Sequence, residues 1–282
     1  MYLYSLPIKI LPRQKPHRDW VVEHEFGTKN GSKKMILNIA RKELKSVFAS
    51  PMGWIILALL MFAFGTYYLN GVNDYFEVMS GAIRPAERSG VTQFVGQNVY
   101  GLASFIMLFA VPLLSMRLIS EERRNQTLPF LFSAPLSLTE IVLGKFIGLV
   151  AFLSILIVYI ALMLFTLNIW TDIDFGYILA NSFGLFLLVA SFSALGLYFS
   201  SLTSQPVVAA ILSFIALFAL MILDRFFAGD PSNTMAKLSL MRHFQSFAGG
   251  LIDTADIAYF VLFILTFLIL TIRRLDADRL RG

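Results

Sequence analysis

The sequence of 282 residues contains no cysteine, only three histidines and few charged residues. Without cysteine, the chain has no disulfide, no thiolate metal ligand and no cysteine nucleophile. The histidines, His17, His24 and His243, are scattered outside the apolar runs, which argues against a histidine metal cluster. We therefore expect no metal site and no resident cofactor in this chain.

Charged residues make up 15% of the chain, whereas an average globular protein has roughly a quarter. Hydrophobic residues make up 57%, the chain has 27 Phe, and the mean hydropathy is +0.72. Too little polar surface is available for a fold in water, so the composition predicts an integral membrane protein. It excludes a soluble enzyme and a nucleic-acid-binding module, despite a net charge of +5 and a pI of 9.4.

Sequence motifs for catalysis are also missing. No Gly-x-x-x-x-Gly-Lys-[Ser/Thr] occurs, because Gly144-Lys145-Phe146 lacks both the upstream glycine and the hydroxyl. No His-Glu-x-x-His occurs, and the apolar runs contain no carboxylate pair for an intramembrane protease. The chain is predicted not to be an enzyme and not to hydrolyse ATP. No cleavable signal peptide is expected, since residues 1–34 lack an apolar core.

Six apolar stretches are long enough, or nearly so, to cross a bilayer as helices. They cover residues 53–69, 99–116, 146–169, 177–199, 206–223 and 255–272. The predicted fold is therefore an all-α membrane protein with six transmembrane helices. None of these stretches has Lys, Arg or Glu in its interior, so a coupling ion has no evident binding residue. This favours an energy source on a partner protein.

The distribution of basic residues predicts the orientation. Most of the 23 Lys and Arg residues lie in residues 1–50, in the connection between the second and third stretches, and after the last stretch. By the positive-inside rule both termini should face the cytoplasm. Loops 70–98, 170–176 and 224–254 should then face outward. The last loop could dip into the outer leaflet or lie on the surface, and the sequence leaves both possibilities open.

The chain divides into four parts. Residues 1–34 are predicted to be a flexible polar extension, and Met35 is an alternative natural start. Residues 35–50 form a basic amphipathic helix with an apolar face, ending before Pro51. That helix could lie on the membrane surface, which its position before a span favours, or pack on its own protein. Residues 51–276 form the transmembrane domain, and 277–282 a cytoplasmic tail.

The connection between the second and third apolar stretches combines charges with large apolar side chains. Its sequence predicts a short amphipathic helix with Glu121 and Glu122 near its start, followed by Arg123 and Arg124. A second helix should begin at Ser137 or Thr139. A polar turn does not need exposed Leu131 and Phe132, so the pattern indicates a docking surface. Four glycines lie where helices could pack closely: Gly144, Gly148, Gly184 and Gly196.

Two motifs carry a resemblance to a known family. The first runs from Pro112 through Arg117 and Glu121-Glu122 to Thr127, and continues through Pro135 to Gly144-Lys145. The second runs from Gly250 through Asp253 and Asp256 to Phe260. Over about residues 35–276 the chain resembles the membrane subunit of an ABC-2 type transporter, closest to gliding-motility and copper-enzyme-maturation permeases. Gln126 departs from the family pattern, which usually has glycine before the threonine.

The resemblance implies a function and partners. Residues 35–50 would be the amphipathic elbow helix and 118–133 the coupling helix that docks on a separate ABC ATPase. The contacts to that ATPase would be Glu121, Glu122, Arg123, Arg124 and Thr127. The chain would pair with a second permease, identical or different, in the bacterial inner membrane and export a substrate. ATP and magnesium would bind the ATPase.

Two alternatives from other classes remain open at this point. The chain could be a non-transporting membrane scaffold, or an assembly subunit of a cell-surface machine such as gliding motility. It could also be a secondary carrier, for which a titratable site in the sixth helix would be required. No nucleic-acid partner is expected.

Overall fold

A computed structural model describes residues 18–80, 90–127, 137–169, 171–227 and 238–280. These residues form α-helices without any strand, so the all-α prediction is confirmed for the described part of the chain. The helices are α1 (Arg18–Ala49), α2 (Pro51–Met79), α3 (Val91–Ser115), α4 (Arg117–Arg124), α5 (Leu138–Phe165), α6 (Phe175–Leu202), α7 (Pro206–Phe227), α8 (Leu240–Ala248) and α9 (Thr254–Arg279).

Among the described residues, five helices are long and apolar enough to cross a membrane. They are α2, α3 with its continuation into α4, α5, α6 and α9. The sixth predicted span, at 206–223, lies in α7, whose described apolar part is Pro206–Ile222. The structure therefore supports a multi-pass membrane protein.

Long-range contacts define two ends of the bundle. At the end that contains α4, Ser200 of α6 contacts the start of α4, and Lys145 of α5 contacts Glu122. At the far end, Tyr68 of α2 bonds Thr166 just after α5, 2.7 Å between the hydroxyl oxygens. Consecutive long helices therefore run in alternating directions between the two ends. Helix α7 follows the same pattern, since Ala209 near its start packs with Met116 and its other end contacts α8.

Helix α6 lies at the centre, because its small side chains let neighbouring helices approach closely. Glycines in α6 lie directly against Phe247 of α8 and Ser115 of α3, leaving no room for a side chain. Of its most apolar stretch, 78% is buried, compared with 22% for the corresponding stretches of α2 and α9. The peripheral helices expose large apolar side chains, among them Trp54, Phe62 and Leu262, as expected where lipid is the solvent.

Helix α1 begins at Arg18, earlier than the start at residue 35 predicted from the sequence. The apolar face predicted for residues 35–50 packs against α5 within the protein. Ile39 lies against Gly144 and Ala40 against Gly148, and the Phe48 ring is 5.4 Å from the Phe152 ring. This register makes α1 run parallel to α5. The break before α2 occurs at Ser50-Pro51, as the sequence predicted.

The segment between α7 and α9 contains one short helix, α8, within the described residues 238–254. Phe244 and Phe247 of α8 are fully buried against the bundle, so the helix packs on the protein at the far end. The chain then turns at Gly250, whose φ of +80° is a left-handed conformation that suits glycine. The rest of the predicted loop, 228–237, lies outside the described residues.

Candidate functional site

Helix α4 is the short charged helix that the sequence predicted, and it continues from α3 through Met116, whose backbone is helical. Leu118, Ile119 and Ser120 are buried, whereas Glu121 and Arg124 are exposed. Its described length, Arg117–Arg124, is shorter than the predicted coupling helix at 118–133, of which residues 128–133 lie outside the described residues. One side of α4 therefore packs on the bundle and the other faces away from it.

The start of α4 is held by a serine from another helix. The first N–H groups of a helix have no partner within it, and α4 has no side-chain cap of its own. Ser200 of α6 supplies the bonds: its Oγ accepts from the N–H groups of Ile119 and Ser120, both at 3.1 Å, and donates to the Met116 carbonyl at 2.8 Å. All these contacts are buried, so Ser200 anchors the junction of α3 and α4 to the central helix.

Replacing Ser200 by alanine should therefore destabilise the protein by about 2 kcal/mol, since it leaves buried backbone groups unsatisfied. Ser193→Ala is the matched control, because the buried Ser193 hydroxyl bonds the Val189 carbonyl of its own helix. Thermal unfolding of the purified protein in detergent would measure the difference. Equal melting temperatures for the two variants would show that Ser200 does not anchor α4.

A buried lysine joins α4 to α5 and α1. Lys145, near the start of α5, is 3% exposed, and its Nζ lies 2.7 Å from Oε1 of Glu122 and 3.0 Å from Oε1 of Glu43. Glu43 belongs to α1 and Glu122 to α4. Since a buried ammonium must be paired, this three-residue group ties three helices together at one point.

A second ion pair joins α4 to the last helix. Arg123 pairs with Asp278 near the end of α9, and its Nη2 also donates to the Ser201 carbonyl of α6 at 2.7 Å. Arg274 lies 3.6 Å from the same Asp278 carboxylate, one helical turn away. The end of α9, which the sequence assigned in part to a cytoplasmic tail, is therefore connected to α4.

The turn after α4 contains Gln126, the position at which the sequence has glutamine where the resembling family usually has glycine. Gln126 has φ of 56°, a left-handed conformation that glycine adopts without strain. It is followed by Thr127, whose N–H and hydroxyl both donate to the Glu122 carbonyl, at 2.9 and 3.1 Å. The backbone shape that a glycine would favour is thus formed here with glutamine.

A crevice of about 330 Å³ opens beside α4, between α1, α2 and the end of α3. Charged side chains of both signs line it, with apolar side chains behind them. The charged residues are Lys42, Glu43, Arg117, Glu121, Glu122 and Lys145. Because acids and bases are balanced there, the crevice favours neither an anion nor a cation.

The five predicted contact residues thus lie in different environments. Glu122 and Arg123 are partly buried and form ion pairs within the chain, while Glu121, Arg124 and Thr127 are exposed. Sequence reasoning did not identify Glu43, Ser200 or Asp278 as parts of this site. Glu43 looked like one charge on a basic helix, and no local pattern connects it to a lysine 102 residues away.

The four predicted packing glycines lie at close contacts between helices. A Cβ at Gly144 would be 2.6 Å from Ile39, and one at Gly148 would be 2.9 Å from the Ala40 carbonyl oxygen. Gly184 and Gly196 lie against Phe247 and Ser115, as described above. The first two therefore set the distance between α1 and α5, and the other two set distances around α6. At the start of α5, Ser137 is the cap, with a capping box to Glu140.

A separate polar contact lies at the far end. Nδ1 of His243 in α8 is 2.6 Å from Oδ1 of Asp256 at the start of α9, and the His243 ring stacks on Tyr259 at 3.9 Å. Asp253 caps α9 by accepting from Ala255 N–H at 2.9 Å. These contacts fasten α8 to α9. In the described residues, no group of three or more His, Cys, Asp and Glu is placed to hold a metal ion.

Comparison with known proteins identifies the class of this architecture. Residues 37–280 match the protein family described as ABC-2 family transporter protein. A search of curated proteins found no match. The matched region spans most of the chain and includes the elements around α4, the central helix α6 and the end of α9. The chain therefore belongs to the ABC-2 family of transporter membrane proteins.

Proposed function

We propose that this protein is the permease subunit of an ATP-driven ABC-2 type exporter, and that a separate ATPase docks on α4. The observation that carries the proposal is the two-sided structure of α4. Its inner side is anchored to α5, α6 and α9, and through Lys145 to α1, while its outer side presents Glu121 and Arg124. A helix built in this way is suited to receive a force from a partner and to pass it to the bundle.

The sequence supports an energy source on a partner. The sequence lacks the phosphate-binding loop with its Gly-Lys-[Ser/Thr] ending, so ATP and magnesium belong on the partner ATPase. Closure of the ATPase would displace α4 as a rigid body. Because α4 is joined by hydrogen bonds and ion pairs to α5, α6 and α9, and through Lys145 to α1, that displacement would reach both early and late parts of the chain.

The α4 end would be cytoplasmic. Basic side chains are concentrated there. They are scarce among the described residues of the far end, where Arg242 is one of the few. Those of the α4 end include Arg41, Lys42, Lys45, Arg117, Arg123, Arg124, Lys145, Arg273, Arg274 and Arg279. Helix α7 would be the sixth span, since it runs from the α4 end to α8 like its neighbours. Both termini would then be cytoplasmic, in a bacterial inner membrane.

A second permease would complete the transporter. Helix α2 exposes much of its apolar surface, and such a surface can contact either lipid or another membrane subunit. The substrate would pass outward between the two permeases. The partner could be a second copy of this chain or a different permease of the same family.

Charge reversal on the outer face of α4 tests the docking. We expect Glu121→Lys combined with Arg124→Glu to reduce co-purification of the ATPase from native membranes by roughly tenfold, because like charges would then meet across the interface. Both side chains are exposed, so insertion and folding should be unchanged. Glu122 is left intact, since its substitution would break the internal pair with Lys145.

Asp172→Lys is the matched control. Asp172 is exposed at the far end, between α5 and α6, and its reversal should leave ATPase association unchanged. Wild-type association of the α4 variant, or equal loss in the control, would contradict docking at α4. If the unsubstituted protein brings down no ATPase at all, the chain is a scaffold or carrier instead of an ABC permease.

A further inference from the structure

The Lys145 ammonium has two carboxylate partners that belong to different helices. Its distances to Glu122 of α4 and Glu43 of α1 are 2.7 and 3.0 Å. The lysine is almost fully buried, whereas the side chains of Glu43 and Glu122 are 15% and 23% exposed. One buried positive charge is thus shared by two acids near the protein surface, although one acid would be enough to neutralise it.

The two pairs differ in how firmly their helices are joined. Helices α1 and α5 are in backbone contact at Gly144 and Gly148, and Phe48 stacks edge-on against Phe152. The Glu43–Lys145 pair therefore lies within one rigid body. Glu122 instead belongs to α4, which is joined to α5 through this polar contact and is otherwise held by α6, α7 and α9. The Glu122–Lys145 pair is the one that a movement of α4 would break.

Breaking a buried ion pair is expensive when it leaves one charge alone in a low-dielectric region. If Glu122 were the only partner, moving α4 would leave the Lys145 ammonium uncompensated. With Glu43 at 3.0 Å, the ammonium stays paired when Glu122 moves away. The second carboxylate therefore lowers the barrier to moving α4 without loosening α1 from α5.

We propose that Glu43 is a standby partner for Lys145, which lets α4 leave and return during the transport cycle while the buried charge remains neutralised. This inference rests on the proposed function, in which an ATPase moves α4. Lys145 and Glu43 are positioning residues in this scheme. They contact neither the substrate nor the ATPase, and they set how easily α4 moves.

The proposal predicts opposite effects for two chemically identical substitutions. Glu122→Gln removes the breakable pair, so α4 should become more mobile at rest. Glu43→Gln removes the standby partner, so Lys145 should hold Glu122 more firmly and α4 should move less. A purely structural role for the three residues would instead make both variants loosen the site.

The experiment uses the absence of cysteine in this chain. Spin labels at Asn38→Cys on α1 and Asn125→Cys at the end of α4, both exposed positions, report the distance between the two helices. In the full chain in lipid nanodiscs, we expect Glu122→Gln to widen the distance distribution by roughly twofold, because the pair across the helices is lost. Glu43→Gln should keep the distribution as narrow as that of the labelled parent.

The same labels in the complex with the ATPase test the working state. Addition of ATP with vanadate should produce a second distance in the parent, and Glu43→Gln should reduce its population by roughly fivefold, because leaving Glu122 would strand Lys145. Asp278→Asn is the matched control, since it weakens the attachment of α4 to α9 and leaves both lysine pairs in place. The control should retain the second distance.

Equal widening of the distance distribution by Glu43→Gln and Glu122→Gln would overturn the standby role. A Glu122→Gln distribution as narrow as that of the parent would overturn it as well. A full second population in Glu43→Gln would overturn it too. Failure of the parent to bind an ATPase would contradict the proposed function instead. The comparison without nucleotide would still decide whether Glu122→Gln widens the distance distribution while Glu43→Gln leaves it narrow.

Discussion

Replacing Lys145 by methionine is expected to lower the free energy of unfolding by about 3 kcal/mol. The substitution keeps the side-chain volume but leaves Glu43 and Glu122 facing each other without the shared ammonium. Their repulsion should separate α1 from α4, two elements that also line the crevice beside them. Titration with SDS in mixed micelles, followed by circular dichroism, would measure the loss.

Lys42→Met is the control for this prediction, because Lys42 lines the same crevice but is exposed. It should change stability by no more than about 0.5 kcal/mol. Adding Glu43→Gln and Glu122→Gln to Lys145→Met should recover part of the loss, since no unpaired carboxylate remains. The same small effect for Lys145→Met and Lys42→Met would show that the buried group contributes nothing to stability.

Replacing Gly148 by leucine should destabilise the protein by about 2 kcal/mol or more, because the contact between α1 and α5 has no space for a side chain. A Cβ there would lie 2.8 Å from the Glu43 Cβ and 2.9 Å from the Ala40 carbonyl oxygen. The second of these atoms belongs to the backbone and cannot move aside by a rotamer change. Helix α1 must therefore shift away from α5.

The shift can be detected with a cysteine placed at Ala40, which is 6% exposed. In the parent, Ala40→Cys should react slowly with a membrane-permeant maleimide, and Gly148→Leu should increase the rate by roughly tenfold. Gly101→Leu is the control, since a Cβ at Gly101 would meet nothing within 4 Å. Equal reactivity in the two leucine variants would exclude a role for Gly148 in seating α1.

Much of the fold could be predicted because membrane-spanning helices can be recognised from the length and apolar composition of their sequences. The stretch 146–169 lies within α5 and the 3₁₀ turn Thr166–Ile169 that follows it, and 177–199 lies within α6. A helix start was also predictable, since Ser137, one of the two predicted caps, is the cap of α5. The stretch 206–223 likewise lies within α7.

The partners of the α4 charges could not be predicted. Glu121 and Glu122 are neighbours in a charged run, yet one is exposed and the other reaches a buried lysine. Helical periodicity separates the two faces of α4 but does not say what lies opposite each face. Asp278, near the end of the chain, is brought to Arg123 only by the path of α9 across the bundle.

For helix α1, too, the sequence predicted the apolar face but not the partner of that face. Its amphipathic pattern correctly indicated an apolar face, and position before a span favoured a membrane surface as the partner of that face. The structure instead places α5 there, because Gly144 and Gly148 leave a groove that Ile39 and Ala40 fill. The same apolar periodicity fits lipid and protein equally well, so the pattern alone could not choose between them.

The sequence by itself determined that this is a helical membrane protein of the ABC-2 family with a short charged helix between two spans. Because the chain has few charges, its apolar residues require a lipid environment, and local sequence motifs indicate the family. Only the tertiary structure decided that α4 is held by Ser200, Lys145 and Asp278. Glu121 and Arg124 are then exposed on the side of α4 that points away from the bundle. Burial and pairing of a charge depend on residues distant in the chain, and their meeting is a property of helix packing.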